Sequence, residues 1–126
     1  MQTSHGGINL KRNIIREKLD RNEPTLSTHL LSTWPSAIEA IGHTGAYDYI
    51  EFVAEYGSFD LHDLDNICRA AELHNLGSMI KVDQSHQDFL GQRGIGSGFN
   101  SVLFTDCRSA DDVRKCVQIA NADTPS

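Results

Sequence analysis

Apolar positions along the chain change their spacing in a regular way. Leu10, Ile14, Ile15 and Leu19 stand at offsets of four, five and nine, which predicts a helix over residues 10–21 with charge on its outer face. Glu23-Pro24 ends it, and residues 25–31, rich in Thr and Leu, read as a strand. A helix is predicted after Trp34, with Pro35 in its first turn, Ala37, Ile38, Ala40 and Ile41 inward, and a stop near Gly42 to Gly45. The aromatic and β-branched run Tyr49-Ile-Glu-Phe-Val53 is a second strand. Asp60-Leu-His-Asp63 has the form of a capping box opening a helix over 61–74, with Leu64, Ile67, Cys68, Ala71 and Leu73 as its core face. Gly77 closes that unit, residues 78–82 make a third strand, and a weaker helix over 87–92 ends in Gly94, Gly96 and Gly98. Ser101-Val-Leu-Phe104 is a fourth strand, and Ser109-Ala-Asp-Asp112 opens a last helix with Val113, Cys116, Val117 and Ala120 inward.

Strand and helix thus alternate four times at intervals of about 25 residues, which implies a parallel sheet with right-handed crossovers. Two architectures satisfy that pattern. A flavodoxin-like open sheet needs a fifth unit, which the chain lacks, and a (β/α)₈ TIM barrel of about 250 residues would be half built by it. Length alone does not choose between them.

With 126 residues, 39% hydrophobic and 22% charged, the chain has the composition of one ordinary globular domain. Its apolar runs are far shorter than the roughly 20 residues that span a bilayer, so no membrane is expected. Seventeen acidic against eleven basic residues give a formal charge of -6, which argues against nucleic acid as a partner. The cluster Lys11, Arg12, Arg16, Lys18 and Arg21 alternates with Glu17, Asp20 and Glu23 and reads as a solvated helix face. Residues 1–7 are polar and carry no apolar secretory core, so a cytoplasmic location is expected. Cys68, Cys107 and Cys116 have neither disulfide-framework nor zinc spacing and are expected as reduced thiols. The histidines show no paired spacing on one helix face, and Gly94-Ile-Gly96-Ser-Gly98 precedes a strand and lacks a P-loop's Lys-Ser/Thr, so it is expected to be flexible punctuation.

In a parallel α/β sheet the working residues sit at the carboxyl ends of the strands. Those ends carry His29, Ser32 and Thr33; Glu51, Glu55 and Tyr56; Lys81, Asp83 and Gln84; and Thr105, Asp106 and Arg108. Glu51 and Lys81 lie inside apolar strands, where an unpaired charge costs several kcal/mol. Two readings stand: the pair neutralise each other across adjacent strands, or Lys81 points into a strand-end pocket as an anion binder.

The order Asn9-Leu-Lys, Glu23-Pro-Thr-Leu-Ser-Thr-His-Leu-Leu-Ser32, Gly45-Ala-Tyr-Asp-Tyr-Ile-Glu-Phe-Val-Ala-Glu-Tyr56, Asp60-Leu, Met79-Ile-Lys-Val82, and Ser101-Val-Leu-Phe104 through Ser109-Ala-Asp-Asp-Val113 resembles the HpcH/HpaI aldolase family. The resemblance runs from Asn9 onward and covers what would be the N-terminal half of such an enzyme, with residues 1–8 a flexible start and 9–126 the half-domain. It implies a (β/α)₈ TIM barrel of which this chain supplies the first four strand-helix units. It also implies a lyase that cleaves or forms a carbon–carbon bond of a 2-keto acid through a metal-stabilised pyruvate enolate, with an aldehyde as the other reactant and hexamers common. The family's strand-two loop, usually Asp-x-Glu-His, reads Val53-Ala-Glu-Tyr56 here, so Glu55 matches and Tyr56 stands where the proton-transferring histidine is expected. Lys81 stands where an arginine holds the pyruvate oxygens, keeping the charge and losing the bidentate fork. The resemblance therefore assigns Tyr56 and Glu55 to catalysis and Lys81 to substrate binding. It places the carboxylate ligands of a divalent ion, Mg²⁺ or Mn²⁺, on later strands beyond Ser126, which would leave the isolated residues an inactive and unstable monomer. Two alternatives stay open: a non-catalytic keto-acid-binding or assembly protein on the same fold, and a Schiff-base aldolase using Lys81.

Overall fold

The computed structural model describes residues 12–121 and, before them, the backbone of Ser4–His5 and Ile8–Asn9, which pair antiparallel. Residues 1–3, 6, 7, 10, 11 and 122–126 lie outside it, and the expectation of a flexible start over residues 1–8 falls largely on them.

The order is α1 (Ile14–Asp20), β1 (Ser27–Leu30), α2 (Pro35–His43), β2 (Tyr49–Val53), α3 (Leu61–Leu73), β3 (Gly77–Val82), α4 (Gln87–Ser97), β4 (Ser101–Phe104) and α5 (Ala110–Ala120). A 3₁₀ turn, Gln84–His86, leads into α4. The helix starts are where side-chain chemistry puts them. Asn13 accepts from the Arg16 N–H, Ser109 accepts from Asp112, and Asp60 and Asp63 form the reciprocal box at 3.0 and 2.9 Å.

The four strands are all parallel and lie in sequence order, β1-β2-β3-β4. Doubly wound open sheets reverse their strand order at a switch point, and this sheet has none. A monotonic order is what a closing barrel requires, and the burial pattern agrees. Leu30, Ile50, Phe52, Ile80 and Val82 point to one face and are buried with Ile38, Leu64, Ile67, Leu90 and Phe99 from the helices and their loops. The alternate positions His29, Glu51, Val53, Met79, Lys81 and Leu103 occupy the other face, and none belongs to that cluster. Helices on one face only, with His29, Glu51 and Lys81 among the side chains on the other, make the second face the inner wall of a barrel segment.

Several core expectations are corrected. Leu19, Ala40, Leu73, Val113, Val117 and Ala120 are exposed, because α1, α2, α3 and α5 lay a narrower stripe on the sheet than the apolar spacing suggested. The buried residues are Ile15 in α1, Ile38 in α2, Ala70 in addition to the four other expected positions in α3, and Cys116 with Ile119 in α5. Gly94 and Gly96 are not loop punctuation but belong to α4. A Cβ on Gly94 would stand 2.8 Å from Ile80 Cγ2, and one on Gly91 would stand 3.0 Å from Ile119 Cγ2. These two close approaches, at Gly91 and Gly94, let α4 lie tight on β3 and α5. Gly98, at φ 120°, is the one that ends the helix.

The amino ends of the strands are fastened by polar side chains. Asn100 accepts the Ser78 N–H on Oδ1 at 2.9 Å, its carbonyl takes the Asn13 amide at 3.2 Å, and its own amide reaches the Arg12 carbonyl at 3.4 Å. Asp48 accepts from Leu26 N–H at 2.8 Å and pairs with Lys18 at 2.9 Å. These bonds lower the Asp48 carboxyl below the ordinary aspartate value, the Leu26 N–H contributing most and Lys18 next. Arg12 pairs with Glu17, Arg16 with Asp20 and Arg21 with Glu23, as a charged, solvated helix face should.

Candidate functional site

At the carboxyl end of β2 the chain turns sharply, with Tyr56 N–H and Gly57 N–H both donating to the Val53 carbonyl at 3.2 and 2.9 Å. A side chain on Gly57 would press on the Val53 and Leu31 carbonyls. The turn brings Glu55 back over the inner face, where its Oε1 lies 3.2 Å from Lys81 Nζ on the neighbouring strand. The contact is an ion pair whose angle is poor for a hydrogen bond, so this buried oxygen retains unmet acceptor capacity. Lys81 Nζ also sits 5.5 Å from the centre of the Tyr56 ring. Tyr56 is otherwise 73% exposed. Glu55 holds the Lys81 ammonium above the ordinary lysine range, with Tyr56 and Glu51 adding in the same direction. The three residues expected to work together, Glu55, Tyr56 and Lys81, do meet.

Of the two readings of Glu51 and Lys81, the pairing of one with the other does not form. Glu51 instead shares a hydrogen bond with His29, its Oε2 lying 2.8 Å from the ring Nδ1. The reason is register: Glu51 lies opposite His29 on β1 and opposite Met79 on β3, while Lys81 lies opposite Val53 and reaches up to Glu55. The Glu51 side chain is 7% exposed and that of His29 is 77% exposed. Alternation within each strand marks a face, but only the register of β1 against β2 brings His29 and Glu51 to the same one.

The remaining strand-end residues serve the loops. Ser32 accepts from Trp34 N–H, Asp83 binds His86 Nδ1 at 2.7 Å, Thr105 donates to the Val82 carbonyl at 2.9 Å, and Gln84 donates to the Asp106 carbonyl. Arg108 uses its backbone N–H on Asp112. Asp106 adopts φ 60°. No metal centre is assembled among the described residues, where no three His, Cys, Asp or Glu side chains are grouped to hold an ion. Cys107 and Cys116 are free thiols, as expected, although their sulfurs lie only 3.6 Å apart.

No family model and no curated protein matches the sequence. Solved structures do. The HpcH/HpaI aldolase from Desulfitobacterium hafniense DCB-2 superposes with a TM-score of 0.73 at 18% identity, over 87% of this chain and 42% of that one. The chain has the fold of part of an HpcH/HpaI aldolase barrel. An HpcH/HpaI aldolase/citrate lyase family protein from Burkholderia cenocepacia J2315 gives 0.71 at 24% identity over 86% and 42% of the two chains. Citrate synthase SbnG gives 0.75 at 17% identity over 83% and 42%. The chain therefore spans about two fifths of the length of these structures. This selects the barrel over the open sheet, in line with the strand order. No helix among the described residues is long and apolar enough to cross a membrane.

Proposed function

We propose that this chain supplies the keto-acid-binding wall of a carbon–carbon lyase, acting on a 2-keto acid and releasing or capturing an aldehyde. The observation that carries the reading is Lys81: a cation at the carboxyl end of β3, held charged by Glu55 and flanked by Tyr56, on the concave face of an aldolase-type fold. An ammonium there attracts the carboxylate of a keto acid and stabilises negative charge developing on its keto oxygen. Glu55, with an oxygen not fully satisfied, fixes the ammonium's position, and the exposed Tyr56 hydroxyl is placed to hydrogen-bond a bound oxygen. The same charge state argues against Schiff-base chemistry, which needs a neutral amine.

A divalent ion, Mg²⁺ or Mn²⁺, belongs to this proposal through the resemblance, and would supply Lewis-acid polarisation of the keto group when bound. The described residues do not form its site, and Lys81, Glu55 and Tyr56 take their roles as side chains alone. Assembly with further copies, as the resemblance to hexameric enzymes implies, completes the proposal. Pyruvate release from 2-keto-3-deoxy acids by the complete protein, with Mg²⁺ or Mn²⁺ added, tests it. Release at sub-saturating substrate that falls in Lys81→Ala supports the reading, and absence of release under all these conditions refutes it. A second reading, a keto-acid binder without turnover, is favoured by the apolar, buried Val53 on the active wall. Calorimetric uptake of pyruvate without any product would select it.

A further inference from the structure

We infer that His29, oriented by Glu51, is the proton-transfer residue of this wall; the inference rests on the keto-acid reading above and names the base that reading requires. Lys81 is kept charged by Glu55 and cannot take up a proton. Tyr56 offers a phenol, a far weaker neutral base than imidazole. His29 is the imidazole that the parallel register places on the concave face.

Its surroundings fit the role. The Glu51 carboxylate lies 2.8 Å from Nδ1, which in the neutral ring draws the proton to Nδ1 and leaves Nε2 with a free lone pair. Glu51 stands between Ile50 and Phe52, both fully buried. An apolar side chain would fill that place at lower cost, since a buried carboxylate must be paired to be tolerated. Its partner, however, is 77% exposed, so the pair does not bury His29 but presents it. Glu51 is thus a positioning residue, which holds the ring through its Nδ1.

The reach is adequate. His29 lies two strand spacings from β3, and Lys81 is two residues beyond the matching position Met79. That separates their backbones by about 10 Å across the sheet and about 7 Å along it, a gap that two side chains and a small keto acid between them can span. In the cleavage direction Nε2 takes the proton of the C4 hydroxyl, the C4 oxygen becomes the aldehyde carbonyl, and the C3–C4 bonding pair moves to C3 and into the enolate. The imidazolium then returns the proton to C3, giving the shortened keto acid and restoring the neutral ring.

The test uses the complete protein, its His29→Gln, Glu51→Leu and Lys81→Ala variants, and pyruvate with a 4-hydroxy-2-keto acid as probes. His29→Gln should lower kcat by about a hundredfold or more while KM changes little, and should stop exchange of the pyruvate methyl hydrogens with D₂O. Lys81→Ala should act chiefly on KM. Nitrogen chemical shifts of the His29 ring should report hydrogen on Nδ1 in the parent protein and on Nε2 in Glu51→Leu, with turnover reduced about ten- to a hundredfold. Turnover that survives His29→Gln, or hydrogen on Nε2 in the parent protein, overturns the assignment and leaves the lyase reading standing. A parent protein without turnover or exchange overturns both.

Discussion

Gly94→Ala and Gly96→Ala make the same chemical change two residues apart on α4, and the structure gives them opposite signs. In a helix interior, alanine is favoured over glycine by about 1 kcal/mol. At Gly96 nothing lies within 4 Å of the added methyl, so that gain should appear as about 0.5–1 kcal/mol of stabilisation. At Gly94 the methyl would stand 2.8 Å from Ile80 Cγ2, against an optimum of about 3.5–4.0 Å for two carbons. Ile80 cannot retreat, because it is fully buried on an interior strand with Phe52 and Val102 beside it in register. Overpacking of this kind costs about 1–3 kcal/mol, so the net effect should be a loss of about 1 kcal/mol, or about 4 °C in Tm for a domain of this size. Urea denaturation of both variants reads the difference directly. Ile80→Ala removes the opposing methyl, and in that background Gly94→Ala should turn stabilising, with a coupling of about 2 kcal/mol. If Gly94→Ala is as stable as the parent, or if no coupling with Ile80→Ala is seen, the close seat of α4 on β3 is wrong.

Asp60→Ala, which removes the bond from the Asp63 N–H to the Asp60 carboxylate and leaves the Asp60 N–H on Asp63, should cost about 1 kcal/mol in the same urea assay. The Asp48 carboxyl is lowered from the ordinary 3.8, so its contribution is intact above that value and is lost as pH falls through the folded-state value; Asp48→Asn should remove this part of the acid sensitivity of Tm. Cys116 behaves in the opposite direction, its thiol pushed up from 9.0 to about 11 chiefly by burial, so the folded state should lose stability as pH rises across that interval, and Cys116→Ala should flatten the alkaline side of the profile. Diamide should join Cys107 and Cys116, whose sulfurs are 3.6 Å apart, and a thiol titration after unfolding of the treated protein should then find only the buried Cys68.

The alternation of elements was legible because each strand and helix carries its own period, and α3 shows it best: Asp60 and Asp63 cap as their spacing says, and Leu64, Ile67, Cys68 and Ala71 are buried as theirs says. Leu73 misled because a helix end can run past the sheet it packs on. The glycines of α4 misled for a different reason. Their local preference is for turns, and at Gly94 it is overridden by a contact with Ile80 that no local rule contains. At the strand ends, the resemblance to the aldolase family singled out Glu55, Tyr56 and Lys81, which do converge. The partner of Glu51 depended on register, and register is decided by how β1 and β2 are joined through α2, not by either strand alone.

The polar fastening by Asn100 and Asp48 sits at the opposite end of the sheet from Lys81, Glu55 and His29. Tightening the fold and changing its chemistry are therefore separable tasks in this chain. Residues toward the carboxyl ends can be exchanged without touching the bonds that anchor α1 and the strand starts, so a library confined to positions 29, 51, 55, 56 and 81 would vary the concave face on a foundation that stays the same.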